Sequence, residues 1–504
     1  MARRDAVRIA TRVTTGIAGV AVLGAVVTGA LLLPPAPADR SAPSVLVTPV
    51  ATDQQRVCAG AVLRPPEADA ASTTVAVAVG GAATTSGSAT ADAATGGPDI
   101  RASRVQAPDV EGGTSTEPSV LAAAGAVDGV PTDLAGATSQ TTAEVDLAGL
   151  AAASCAEATA ESWLVGGATT TGRTTFVVLD NPSGVSSTVD LAISGEEGAV
   201  SAPGASGITV PAGTRRVLSL AGLAPDLASP AVHVRSRGGQ IVARLEQSTV
   251  RGLLAGGVDW IGPAAAPATA LTMTGLRIDS DSAPVAPVEG EPAPAEDGGS
   301  APGAGSDPGT DPDRETAVRV LVPGTDDADV SVSVAPEDGT DGTGTTFTVQ
   351  VDAGRTTDLP VADLPDGRYA VTVQSSVPVT AAVRSVSGAA EGGTTDFAWL
   401  PSAEPLTRDA LVSVPAGPAP LLHLRNAGDA AASVTARPTD GSEPVAIEVP
   451  AGSAASVAVT EGRTYLLEGA TGLTATVTLA EPGRSAALPV VPVLPAADPL
   501  RVHP

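Results

Sequence analysis

The chain has 504 residues, of which 43% are hydrophobic and only 2% aromatic, so a core must be built from Ala and Val rather than from large rings. All 28 basic residues are Arg, and they face 55 acidic ones. The resulting net charge of −27 argues against a nucleic-acid partner, since phosphate binding needs basic patches.

The first forty residues set the compartment. Arg3, Arg4, Arg8 and Arg12 form a basic tip, and Val13 to Leu33 follows without a charge. That run is long enough to cross a bilayer core as a helix, and the arginines place its start in the cytoplasm. Pro34 and Pro35 end it. The Ala36-Pro37-Ala38 triplet also suits a signal peptidase, so two readings stand: a retained single-pass anchor at 13–33, or a signal cleaved after Ala38. Either places the bulk of the chain outside the cytoplasm, at the cell membrane or secreted. The only two cysteines, Cys58 and Cys155, then enter an oxidising compartment, where one disulfide is the natural pairing. Two buried free thiols are the alternative.

After the anchor, Val45 to Val50 and Thr74 to Val79 alternate like strands. Residues 81–147, rich in Ala, Thr, Gly, Ser and Asp, predict a long irregular segment. From about residue 160 the chain repeats itself. Trp163, Trp260 and Trp399 open similar phrases, each followed by a β-type run ending in a turn: 176–182, 318–324 and 421–428. Asn181 and Asn426, the only asparagines, share the turn position, where Asn tolerates a left-handed backbone. Val210-Pro211-Ala212-Gly213, Val351-Asp352-Ala353-Gly354 and Val449-Pro450-Ala451-Gly452 mark a second recurring turn. The wider spacing between Gly213 and Gly354 is nearly accounted for by a Pro/Gly/acidic insertion, 279–315, with the composition of disorder.

Period-2 alternation between such turns predicts an all-β chain: tandem β-sandwich-like (Ig-like) repeats behind a single N-terminal transmembrane helix. The expected divisions are 1–38 tip and anchor or signal, 39–158 N-terminal strands and low-complexity segment, 159–262 repeat 1, 263–400 repeat 2 with its insertion, 401–490 repeat 3 and 491–504 tail. A propeller is the alternative, although its blades are usually shorter, about 40–50 residues.

The phrase GLAAASCAEATAESWLVGGATTTGRTTFVVLDNP, residues 149–182, carries a Cys, a Trp-x-x-Gly-Gly, a Gly-Arg and a strand ending in Asn-Pro. With the preceding anchor, the upstream cysteine and the later Trp and Val-Pro-Ala-Gly phrases, it resembles an actinobacterial family of exported proteins, domain of unknown function 5719. Members typically carry Cys-Pro-Gly upstream, where this chain has Cys58-Ala59-Gly60. The resemblance implies an envelope protein without an established activity, whose gene tends to lie near a membrane glycosyltransferase. It supplies no catalytic residue.

Chemistry-bearing motifs are sparse. The histidines are His233 and His423, both within strand-like runs, and His503 beside the C-terminus. No nucleophile elbow, His-Glu-x-x-His, phosphate loop or dinucleotide fingerprint occurs. Glu196-Glu197 and Asp326-Asp327 fall in loops, where carboxylates serve solubility, and the Asp/Gly-rich segments 307–313 and 338–344 lack EF-hand spacing. No catalytic, cofactor or metal residue is assigned and no cofactor is expected. The tryptophans are expected in core or junction packing rather than on a sugar platform. The expected function is a non-enzymatic, membrane-anchored envelope scaffold or accessory subunit, with an envelope protein or glycosyltransferase as partner. The alternative is a surface module binding polysaccharide or cell wall directly.

Overall fold

The computed structural model describes residues 45–47, 53–66, 75–79, 84–90, 99–127, 130–279, 315–337, 343–361, 364–388, 395–491 and 500–502. The chain forms two compact units, 1–50 with 497–504, and 51–496. In the first, Val45–Val47 pairs antiparallel with Leu500–Val502. No helix among the described residues is long and apolar enough to cross a membrane. The expected span 13–33, most of the insertion 279–315 and His503 lie outside them.

The second unit is almost entirely β. Within it one pattern of strands recurs three times. Between 161 and 261 one sheet runs in the order 161–165, 231–237, 187–195, 198–200, with 208–210 also on 187–195. Its companion runs 215–219, 173–180, 242–251, 254–261. Side chains of both sheets meet in one core around Leu164, Val177, Leu191, Val232 and Leu245. The same two orders return in 410–413, 464–468, 432–438, 445–449 and 454–458, 421–426, 473–481, 484–489. In the middle copy the two central strands are fused. Gly367–Ser387 pairs with 268–278 and 328–336 through its first half, and with 317–321 and 396–401 through its second. The alternation anticipated from sequence appears in Ser187–Gly195 and Ala328–Pro336, each with one face inward. In the companion sheets burial is nearly continuous, as in Val242–Ser248, because both faces are covered.

The repeats are not independent beads. The last strand of each companion sheet (254–261, 396–401 and 484–489) and strand Ala148–Ser154 pack into a closed ring, each against the next. Four sheets therefore radiate from one centre, a feature shared with propellers, although each repeat also closes on a sheet of its own. Small residues permit the approach: a Cβ on Gly149 or Gly257 would sit 2.7 Å from the Asp396 carboxylate.

The fourth radiating sheet corrects the expectation for 81–147. Thr84–Thr90, Asp133–Ala143 and Ala148–Ser154 pair side by side, and Gln54–Val57, Ser119–Ala123 and Arg101–Arg104 form a second sheet. A few apolar side chains suffice there (Leu121 and Leu134, with Ala89 and Ala123) because the Cys58–Cys155 disulfide completes their cluster.

Candidate functional site

Buried charge in the second unit gathers at two kinds of place, the centre of the ring and the joints between its sheets. At the centre, Asp396 opens its strand with a side chain sealed from solvent. Its carboxylate accepts the amides of Leu150 (2.9 Å), Ser485 (3.1 Å) and Val258 (3.2 Å), each on another ring strand, and that of neighbouring Phe397. One side chain thus satisfies backbone donors from all four strands. Burial pushes its pKa up to about 7, the amides offsetting only part of the effect. Asp259, on the adjacent strand, accepts the Trp399 amide at 2.7 Å, while its other oxygen has no partner among the described residues. Burial holds its pKa well above the usual range, and the nearby Asp396 adds to the rise. Glu246, buried and bonded to the Leu63 amide at 2.8 Å, is raised well above normal for the same first reason.

At each joint a buried base reaches across. Arg215 pairs with Asp180 at 2.6 and 2.8 Å and donates to the Ala59 carbonyl, while Arg244 donates to Val57 and Ser154. These tie the N-terminal sheets to the first repeat. Arg319 pairs with Asp358 at 2.7 and 2.9 Å, donates to the carbonyls of Gly167, Ala228 and Pro230, and lies 4.7 Å from the centre of the Trp399 ring. It binds the second repeat to the first. His423 joins the third repeat to the second through Glu337 (2.7 Å) and also contacts Thr478 within its own repeat (2.8 Å). The Thr–His–Glu line has the order of a nucleophile, base and orienting acid. Strand Ala268–Ile278 closes it off, however: a Cβ on Gly275 would lie 2.8 Å from Thr478 and 3.0 Å from His423. No approach for a substrate exists there, and the line serves as a joint.

The sequence-derived residues fall into this frame unevenly. Cys58 and Cys155 form the disulfide. Trp260 and Trp399 are buried at equivalent positions, opposite Glu246 and Arg384 on the preceding strand. Trp163 is not their counterpart. It lies on the first strand of its repeat, half-buried and stacked on His233 at 3.8 Å, with the His233 ring 2.6 Å from Glu161. Burial lowers the His233 pKa despite that carboxylate. Ala487 takes the corresponding place in the third repeat.

Asn181 and Asn426 share a position, but neither backbone is left-handed. Each donates to two carbonyls, Val185 and Val210 or Ala430 and Val449, and each accepts an amide two residues on. Side-chain bonding, rather than tolerance of positive φ, explains them. Gly213, Gly354 and Gly452 do carry positive φ, +66°, +74° and +66°, with open space where a Cβ would stand. Sequence reasoning missed Asp396, Asp259, Glu246 and the joint bases. Arg319 and His423 share one register position, opposite Ala382 and Thr476, so superposing the repeats would have marked that pair.

A cleft lies where the third repeat meets the N-terminal sheets, lined by Arg56, Leu134, Cys155, Glu157, Leu411 and Val490. It encloses about 50 Å³, room for ordered water rather than for a metabolite. Among the described residues no group of three or more His, Cys, Asp or Glu side chains is placed to hold a metal.

The model of a family of unknown function, domain of unknown function 5719, matches residues 110–460. The chain belongs to this family. The match takes in all three repeats, ending within the third, together with the ring residue Asp396 and the joint residues Arg319 and His423. No curated protein and no solved structure matches the chain.

Proposed function

We propose that this family member is an exported, membrane-anchored actinobacterial envelope protein, a non-enzymatic scaffold or accessory subunit for envelope glycan assembly. On this reading the three paired-sheet units are β-sandwich-like, Ig-like repeats held outside the membrane by the span at 13–33. The observation that carries it is the use of the buried polar side chains: Asp396, Arg215, Arg244, Arg319 and His423 each place at least one hydrogen bond across from one sheet to another. Such wiring suits a rigid platform that positions other molecules. The basic tip with its uncharged run, and the disulfide, support export.

Crosslinking the tagged chain in cells, with mass spectrometry of the membrane fraction, tests this reading. One dominant membrane protein, a glycosyltransferase above all, is expected; recovery with wall polymer alone, or with nothing specific, overturns it. One observation favours the second reading, direct polysaccharide binding: the half-exposed Trp163–His233 stack beside the exposed Glu161 carboxylate offers a planar ring pair with a hydrogen-bond acceptor. Trp163→Ala abolishing pull-down with purified wall polymer, without loss of thermal stability, would support it.

A further inference from the structure

The outer edge strand of the second repeat, Thr345–Val351, differs from its counterparts in the other two. All three lie at the free end of the same sheet order. In the first repeat the edge is broken into 198–200 and 208–210 by a turn starting at Pro203. In the third, Val445–Val449 follows Glu443-Pro444 and carries Glu448. Short length, proline and charge are the ordinary means of keeping a sheet edge from taking another strand. Thr345–Val351 has none of them: TTFTVQV is seven residues long and contains no charge and no proline. Phe347 and Val349 pack against the core, Thr346, Thr348 and Gln350 face outward, and among the described residues the strand pairs with Ala328–Pro336 on one side only.

The surroundings define what fits. Gln350 lies opposite exposed Asp329, and beyond Val351 come exposed Asp352, which pairs with Arg355, and the exposed Asp326-Asp327 turn. A second copy of this chain is a poor occupant. Antiparallel self-pairing would set that acidic end against Thr345 and Thr346 of the other copy, which carry no positive charge to meet it. We propose that this edge is a docking site for an extended segment of another protein, added antiparallel, uncharged where it pairs and carrying Arg or Lys at its N-terminal end. Main-chain hydrogen bonds would hold the segment, and the acidic end would set its direction. The inference rests on the accessory-subunit reading and names the contact by which such a subunit engages its partner.

The test uses the full chain in detergent and the labelled octapeptide Arg-Arg-Thr-Val-Thr-Val-Thr-Val, with a Glu-Glu version as control. The basic peptide should bind at least tenfold more tightly and slow amide exchange within 345–351. Asp326→Asn with Asp329→Asn should shrink the difference between peptides several-fold without altering thermal unfolding, and Thr348→Pro should abolish binding. No protection of 345–351, equal affinity for the two peptides, or self-association through this edge would overturn the proposal. A photo-crosslinker at position 348 in cells separates the two levels of inference. A membrane partner captured from other positions but never from 348 sinks the edge and leaves the accessory reading standing. Peptide binding with no partner captured from any position does the reverse.

Discussion

Asp396 and Asp259 bury two acids within one ring, and their protons are linked to folding. Each has a folded pKa above its unfolded value, so from about pH 4 upward the folded chain keeps protons that the unfolded chain releases. Stability must therefore fall as pH rises, by up to about 1.4 kcal/mol per pH unit for each group. For Asp396 the loss is complete once pH passes about 7; Asp259 and Glu246, raised by the same burial, lose stability in the same direction. Melting temperature should be greater at pH 5 than at pH 8, and Asp396→Asn should flatten part of that slope. A melting temperature that climbs from pH 5 to 8 would contradict the arrangement. Arg319 provides a test without titration. Arg319→Ala leaves Asp358 without its cation and three carbonyls without their donor, at a cost of about 3–5 kcal/mol in denaturant unfolding. Arg237→Ala, which breaks only the exposed pair with Asp190, should cost less than about 1 kcal/mol.

At the scale of elements, the two recurring turns show what a single sequence makes legible. Gly213, Gly354 and Gly452 were readable because a positive φ leaves a residue-type signature that needs no knowledge of distant contacts. Gly452→Ala should therefore cost about 1 kcal/mol from backbone strain alone, since nothing lies within 4 Å of the added carbon. Asn426 was found by the same repetition but for the wrong reason, because its value lies in bonds to Ala430, Val449 and Gly428. The distinction is measurable in chemical denaturation. Asn426→Gly should destabilise about as much as Asn426→Ala, by roughly 1–3 kcal/mol, whereas a left-handed turn would be rescued by glycine. Strand alternation was likewise visible where one face is wet, as in Ser187–Gly195. It faded in 81–147, where Thr, Ser and Ala pair into strands without a strong apolar period. Asp396 left no trace at all. Its counterparts in the neighbouring ring strands are Gly257 and Arg484, so repetition could not mark it, and its role exists only once four distant strands meet.

That meeting decides how the whole molecule should unfold. Beads on a string would melt separately, and removing one would leave the others unchanged. Here the core of the third repeat takes in Leu150 and Ala152 from the N-terminal sheet, and that of the first takes in Phe397 and Trp399 from the second. A chain ending at Pro401 would lose the Ser485 amide that Asp396 accepts, the His423 partner of Glu337 and the apolar cover over Leu150. Its first two repeats should melt lower than in the full chain by about 10 °C or more, a shift large enough to require several lost interactions. Calorimetry of the intact chain should show one dominant transition with calorimetric and van't Hoff enthalpies in agreement. Reducing Cys58–Cys155, which lie 97 residues apart, should lower that transition without splitting it. The cross-link restrains the unfolded chain, at about 4–5 kcal/mol in the chain-entropy account, and does not hold the ring strands together. Separate transitions in the intact chain, or an unchanged melting point after truncation, would mean that the amides converging on Asp396 bind the repeats too weakly to make one folding unit.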